Sequence, residues 1–314
     1  MNPLSAIYGA VTGSRNRLYD RGLLRTHKLR GPVVSVGNLS AGGSGKTPFV
    51  ILLGEQLKAR RVPFDILSRG YRRQTRGVLT VDPAGSASDF GDEPLLLARH
   101  LQVPVILGES RYQAGLVAER KFGPQLHLLD DGFQHRSLAR DFDIVLISAA
   151  DLLDRLLPAG RLREPVASLR RADVLVLTNE AALPGRVIEK QLVWKMRRGL
   201  RVDNPPERPI VFCGIARPQN FFTQVRQAGI EPAAEVSFRD HHSYSQADLQ
   251  HLVDLQSQRN AGGFLTTEKD AINLGAYVAS LSPLVIVSVA LEFESPADAV
   301  DTMLRILSER KRHP

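Results

Sequence analysis

The residues best able to do chemistry come in short clusters, beginning with Val33-Val34-Ser35-Val36-Gly37-Asn38-Leu39-Ser40-Ala41-Gly42-Gly43-Ser44-Gly45-Lys46-Thr47-Pro48. A β-branched run leads into a glycine-rich loop that ends in Gly-Lys-Thr and opens a helix. Glycines let the backbone fold tightly enough for several N–H groups to point at phosphate oxygens. The helix N-terminus adds the positive end of its dipole. In this pattern Ser40, Ala41, Gly42, Gly43, Ser44, Gly45, Lys46 and Thr47 cradle the phosphates of ATP. Lys46 reaches the β- and γ-phosphates and the Thr47 hydroxyl binds Mg²⁺. The strict pattern has glycine where this sequence has Ser40; the rest of the register holds. A second carboxylate for the metal is expected at the end of a neighbouring strand, and Leu126-His127-Leu128-Leu129-Asp130-Asp131 has that form. Asp130 and Asp131 read as metal or phosphate ligands, with an Asp pair capping the turn before Gly132 as the plainer alternative.

Other clusters carry weaker signals. Gly91-Asp92-Glu93-Pro94 precedes an apolar helix, where capping by Asp and a first-turn Glu compete with any chemistry. Ser68-Arg69-Gly70-Tyr71-Arg72-Arg73 follows a strand and is either a phosphate contact or a solvated basic loop. The arginines of Gly160-Arg161-Leu162-Arg163-Glu164-Pro165 could neutralise a transferring phosphate. Asp240-His241-His242-Ser243-Tyr244 offers a base, a metal site or a helix cap; without cysteine or further spaced His and Glu, zinc is disfavoured. Thr266-Thr267-Glu268-Lys269-Asp270 faintly suggests a guanine-reading loop, but Glu268 separates Thr from Lys and GTP is not inferred.

The elements that must hold these clusters alternate. Apolar runs of strand length at Val33–Val36, Phe64–Leu67, Val103–Leu107, Leu126–Leu129, Ile144–Ile147 and Val174–Leu177 are separated by helical stretches such as Phe49–Arg60 and Arg111–Lys121. This predicts an α/β fold: a P-loop NTPase-like parallel sheet with helices on both faces. Asp203-Asn204-Pro205-Pro206 marks a break, since two prolines cannot continue a helix. Beyond it the alternation resumes as a smaller C-terminal α/β lobe. The expected organisation is an N-terminal segment over 1–30, a P-loop domain over 31–204, and the smaller lobe over 205–314.

In the first thirty residues Leu4, Ile7, Tyr8 and Val11 share one helical face, followed by Arg15, Arg17, Arg21, Arg25, Lys28 and Arg30. That combination suits a helix lying in a membrane interface with its cations near lipid phosphates. No apolar run approaches the ~20 residues a spanning helix needs, and the basic residues follow the apolar stretch, unlike a signal peptide. The 314-residue chain carries a net charge of +8, which favours anionic partners without choosing among them. Its single cysteine, Cys213, excludes an intramolecular disulfide and reads as a buried structural thiol. Aromatic content is 6%, and no patch interleaves aromatic with basic residues. A nucleic-acid-binding ATPase is therefore ranked low. A nucleotide-hydrolysing switch with a protein partner is the other rival, disfavoured by the missing guanine loop and by His241 as a candidate base.

Taken in order, Val-Gly-Asn-Leu-Ser-Ala-Gly-Gly-Ser-Gly-Lys-Thr-Pro, Leu-Ser-Arg-Gly-Tyr, Gly-Asp-Glu-Pro, Asp-Asp-Gly-Phe-Gln-His, Leu-Arg-Glu, Arg-Ala-Asp, Asp-His-His and Thr-Glu-Lys-Asp-Ala resemble the tetraacyldisaccharide 4'-kinase family across essentially the whole chain. The family's own loop carries a small hydroxyl residue at the position of Ser40. The resemblance implies ATP-dependent phosphorylation of the 4'-hydroxyl of a tetraacyldisaccharide 1-phosphate, giving lipid IVA in lipid A synthesis. It also implies Mg²⁺, an anionic acylated disaccharide lipid substrate, and peripheral attachment to the cytoplasmic side of the bacterial inner membrane. No nucleic acid and no obligatory protein partner are implied. Relatives have a longer apolar leader; here the segment reads as interfacial. Asp92 and His241 look like the base dyad, with Lys46, Arg111 and Arg163 as catalytic cations. Thr47 with Asp130 or Asp131 looks like the metal site, and Glu93, Gln134, His135 and Glu164 match further active-site positions.

Overall fold

The computed structural model describes residues 2–42, 45–177, 190–294 and 296–312. Its strands are β1 (Val33–Asn38), β2 (Phe64–Ser68), β3 (Leu79–Thr80), β4 (Val105–Leu107), β5 (Leu126–Asp130), β6 (Phe142–Ile147), β7 (Val174–Leu177), β8 (Leu192–Arg201), β9 (Ile210–Cys213), β10 (Ala234–Ser237), β11 (Phe264–Thr267) and β12 (Leu284–Phe293). The helices are α1 (Pro3–Asp20), α2 (Lys46–Ala59), α3 (Ala87–Phe90), α4 (Asp92–Leu101), α5 (Arg111–Phe122), α6 (Ala149–Leu153), α7 (Pro218–Gln227), α8 (Gln246–Arg259), α9 (Glu268–Leu274) and α10 (Pro296–Arg312).

Among the described residues the strands form one sheet in the order β10-β9-β11-β12-β8-β7-β6-β1-β5-β2-β4-β3. Every residue of β1, β5, β6 and β7 is buried, as strands covered on both faces require. The β8–β7–β6–β1–β5–β2–β4 stretch is parallel, and so is β10–β9–β11–β12. The two halves meet at an antiparallel pair, β8 with β12, registered from Met196–Phe293 to Arg201–Ser288.

The seam shares a core with the first half. Trp194 of β8 stands edge-on to Phe293 of β12 at 5.6 Å, and Phe293 meets Phe49 of α2 at 6.0 Å. One apolar cluster runs from Val34 and Phe49 to Ile272, Leu291, Val300 and Met303. Helix α10 returns to the first half, where Arg60 pairs with Asp301 at 2.6 Å and Arg310 pairs with Asp173 at 2.5 Å.

Helix α1 has no buried residue. Asn2 caps it, accepting from the Leu4 N–H at 3.0 Å. Its docked side is polar: the Ser5 hydroxyl donates to the Leu156 carbonyl at 3.0 Å, the Tyr8 hydroxyl to the Arg163 carbonyl at 3.1 Å, and Asn16 to Glu164 at 2.7 Å. Leu4, Ile7 and Val11 are 60, 61 and 63% exposed. The expected apolar face is thus divided: Tyr8, at its edge, turns to the protein, while the other three face outward.

Candidate active site

The phosphate loop leaves the buried end of β1 between β5 and β6. At 100° per residue a helix needs a sharp entry from the strand, and Gly45 supplies it as the N-cap of α2 with φ +78°. Lys46 is the first helical residue. Its Nζ donates to the Asn38 side-chain carbonyl at 2.9 Å and sits 3.4 Å from Asp131. Thr47 lies in the same first turn. Ser40 is fully buried, and its carbonyl accepts from the Asn38 amide at 2.6 Å. The segment carrying Arg163 runs alongside: the Ala41 N–H donates to the Arg161 carbonyl and the Arg163 N–H to the Leu39 carbonyl, each at 2.7 Å. Gly42 has φ +73°; Gly43 and Ser44 lie outside the described residues.

Asp130 and Asp131 follow β5 but have different partners. Asp131 takes both oxygens to Arg163, at 2.8 and 3.1 Å, besides its contact with Lys46. Burial would raise this carboxyl, yet the Lys46 ammonium and Arg163 guanidinium hold it down at about 2. Asp130 is 4% exposed and accepts from the Ser68 hydroxyl at 3.0 Å. Burial, with Glu93 and Asp131 as like charges, pushes it up to about 7. Arg111, at the start of α5, is buried and feels both carboxylates, although burial still lowers its pKa.

The second cluster is assembled across the halves. Gly91 caps α4 at φ +85°, and a Cβ there would lie 2.9 Å from the Tyr71 carbonyl. Asp92, first in the helix, is not the cap. Its carboxylate crosses to His241, whose Nδ1 lies 2.7 and 2.9 Å from the two oxygens. Asn273 of α9 donates to Asp92 at 3.1 Å. Lys269 of α9 reaches Glu93 and the His241 Nε2, each at 3.2 Å. Burial would raise Asp92, but the His241 hydrogen bond and the Lys269 charge keep it below the usual carboxylate range. His241 occupies a left-handed turn, φ +56°, with its N–H on the Gly214 carbonyl at 3.0 Å. Arg72 ties the halves together by donating to the Asp240 carbonyl at 2.7 Å. A cleft of about 1310 Å³ opens beside this pair, walled by Asp92, His241, Tyr71, Arg72, Arg239 and Asn273.

The clusters are linked electrostatically: Glu93 contacts Lys269 and, as a like charge, raises Asp130. Gln134 donates to the Asn38 carbonyl at 2.9 Å, beneath the phosphate loop. His135 lies among arginines; burial first, then Arg111, Arg140, Arg15 and Arg69, lower it to about 4. Glu164 is placed apart: it binds Asn16 and Arg171, at 2.7 and 2.8 Å, and so anchors α1. The capping alternative for the adjacent histidines is answered by Ser245, which caps α8 in a reciprocal box with Asp248. Sequence reasoning missed Asn38, Ser68, Asn273 and Lys269. Asn38, Ser68 and Lys269 stood in motifs singled out for other residues or, for Lys269, for a guanine loop; Asn273 stood in none.

A phosphate loop on a parallel sheet, carboxylates at the adjoining strand end and an Asp–His pair facing the cleft define a nucleotide-dependent phosphotransferase. Residues 1–308 match the Tetraacyldisaccharide-1-P 4'-kinase family. The chain is 48% identical to a tetraacyldisaccharide 4'-kinase of Koribacter versatilis, over 99% of this chain and 100% of that one. It is 38% identical to the enzyme of that name from Chlorobaculum parvum, over 86 and 82%. A crystal structure of LpxK from Aquifex aeolicus in complex with ATP superposes with a TM-score of 0.79 at 36% identity, covering 97% of this chain and 98% of that one. The chain belongs to the tetraacyldisaccharide-1-phosphate 4'-kinase family, ATP-dependent lipid A 4'-kinases.

Proposed function

We propose that this chain transfers the γ-phosphate of ATP to the 4'-hydroxyl of a tetraacyldisaccharide 1-phosphate, with Asp92 as the base and Lys46 as the principal phosphate ligand. The observation that carries this reading is the run of polar side chains from Lys46, in contact with Asp131, through Asp130 and Glu93, linked by charge alone, to Lys269, Asp92 and His241, which are again in contact. Such a run lets the nucleotide and the acceptor hydroxyl meet at one place. The hydroxyl oxygen attacks the γ-phosphorus and its proton passes to the Asp92 carboxylate. The bond from the γ-phosphorus to the bridging oxygen breaks, and ADP leaves with the electron pair. The protein's share is chiefly positioning and charge neutralisation, for which Lys46, Arg111 and Arg163 are available.

The donors present fit a hard divalent cation. Asp130 is a buried carboxylate at about 7, opposed by two like charges, and Thr47 offers a hydroxyl in the α2 first turn. Asp131 is already committed to two cations. Thr47 and Asp130 would hold Mg²⁺, which when bound neutralises charge on the β- and γ-phosphate oxygens.

Among the described residues no helix is long and apolar enough to cross a membrane. The exposed Leu4, Ile7, Val11, Leu18 and Leu23, with Arg17, Arg21 and Arg25 nearby, support α1 lying in the interface of an anionic leaflet, the cytoplasmic face of the inner membrane.

The test is transfer of labelled phosphate from ATP to tetraacyldisaccharide 1-phosphate in detergent micelles with Mg²⁺. Label in the lipid, lost in Lys46→Ala, supports the reading. ATP hydrolysis indifferent to lipid would sink it.

A further inference from the structure

The contacts around His241 decide which of its nitrogens carries a hydrogen. A lysine ammonium has three donors and no acceptor. With Lys269 Nζ 3.2 Å from the His241 Nε2, the hydrogen between them comes from lysine, so Nε2 offers its lone pair. The other nitrogen, Nδ1, spans both oxygens of the ionised Asp92 at 2.7 and 2.9 Å and must donate. The imidazole is therefore neutral and protonated on Nδ1. Asp240 is the other carboxylate near Nε2, at 3.7 Å, beyond hydrogen-bond reach.

We infer that Lys269 is a positioning residue for phosphoryl transfer: its ammonium caps the outer nitrogen of His241, locks the imidazole in the Nδ1–H tautomer, and leaves Asp92 as the member of the pair that can accept the substrate hydroxyl's proton. This rests on the proposed reading that the Asp92–His241 pair does the acid–base work. Nδ1 already bears its hydrogen, and Nε2 can take a second proton only by displacing Lys269. The reaction's proton therefore bonds to an Asp92 oxygen, while the imidazole keeps donating to that carboxylate.

Lys269 is held for this task from every side. It lies 3.2 Å from Glu93, 3.7 Å from Asp240 and 3.8 Å from Asp92, three carboxylates around one ammonium. Burial would lower its pKa; these carboxylates outweigh burial and raise it, so the charge persists at any working pH. The other groups facing the pair are Asn273 on α9, Tyr71, whose ring lies 5.5 Å from the imidazole, and Arg72, which grips the Asp240 and His241 carbonyls. One residue before Lys269, Glu268 pairs with His100 of α4 at 2.7 Å and fixes α9 against the first half. None of these supplies Nε2 with another donor.

Two measurements test the inference. The first is ring ¹⁵N NMR of histidine-labelled protein, with the His241 signal assigned by its loss in His241→Gln. The wild type should show the Nδ1–H tautomer at neutral pH, whereas Lys269→Met should populate Nε2–H or imidazolium. The second is the pH profile of kcat. Lys269→Met removes a cation that favours ionised Asp92, so the acid limb should move to higher pH. The peak kcat should fall about 10- to 100-fold, as for other residues that orient a reacting group, with KM for ATP unchanged. Lys269→Arg should restore the limb. A wild-type Nε2–H tautomer, or a Met variant that loses activity with its pH profile unmoved, overturns the inference. Should Lys269→Met not fold, the wild-type spectrum and Lys269→Gln still decide it. Full activity in Asp92→Asn would instead defeat the base assignment while leaving the measured tautomer standing.

Discussion

The phosphate-loop cluster and the Asp92 cluster are both made of polar side chains in contact, yet they are built in opposite ways. Lys46, Asp131 and Arg163 all hang from the first half of the sheet, on loops that leave β1 and β5 or run beside them. Asp92, His241 and Lys269 come from α4, the turn after β10 and the start of α9. The first cluster needs only the local strand–loop–helix geometry. The second exists only when β8 and β12 hold the halves in register. One is a module; the other reports on the assembly, and a mutation far from it can reach it through the seam.

The sharpest way to separate them is to remove one charge from each. Asp92→Asn should lower kcat by about 10²- to 10⁴-fold, the usual worth of a general base, with ATP affinity retained in equilibrium binding. Lys46→Ala should lower transfer by about 10²- to 10³-fold and weaken ATP binding as well. If both variants lose ATP affinity alike, the two clusters are one unit.

The seam gives the next largest effect. Phe293 is 7% exposed and touches Trp194 and Phe49, so Phe293→Ala should cost about 3–5 kcal/mol, measured by denaturant unfolding. Calorimetry should show a single transition. Two separated transitions would mean that the halves fold independently and that the Asp92 cluster lacks cooperative support.

A smaller effect is expected at the surface of α1. The double variant Ile7→Ser, Val11→Ser should weaken sedimentation with anionic vesicles by about tenfold or more, since burying one such side chain is worth about 1.5–3 kcal/mol, and leave micellar kcat unchanged. Undiminished vesicle binding would remove α1 from the interface.

The smallest prediction concerns pH. The folded chain holds His135 at about 4, against an ordinary 6.5. Between those values the unfolded chain binds a proton that the folded chain does not, so stability falls as pH drops through that window. His135→Gln should flatten this part of the melting profile. An unchanged slope would assign the acid sensitivity to other groups.

Strand β8 shows where pattern reading stops. Only Trp194 and Met196 are buried in it, with Lys195, Arg197, Arg198 and Arg201 exposed. A seam strand with one wet face lacks the continuous apolar run that marks β1 or β6, and it went unread beside the proline break that follows. Cys213, by contrast, was legible as a buried thiol from its apolar run, and burial does push its pKa up.

By itself the sequence determined the elements whose cause is local: the alternation of apolar runs and helices, the glycine-rich turn into α2, and the ordered motifs that mark the family. Tertiary structure decided which side chains meet. It assigned Asp131 to Lys46 and Arg163 while leaving Asp130 buried with Ser68, turned Glu164 to α1, and set Lys269 against the outer nitrogen of His241. Spacing along a chain governs contacts within one helix or strand, where the backbone fixes geometry. Contacts across a sheet of two halves depend on register and packing summed over many residues, and no local pattern encodes them.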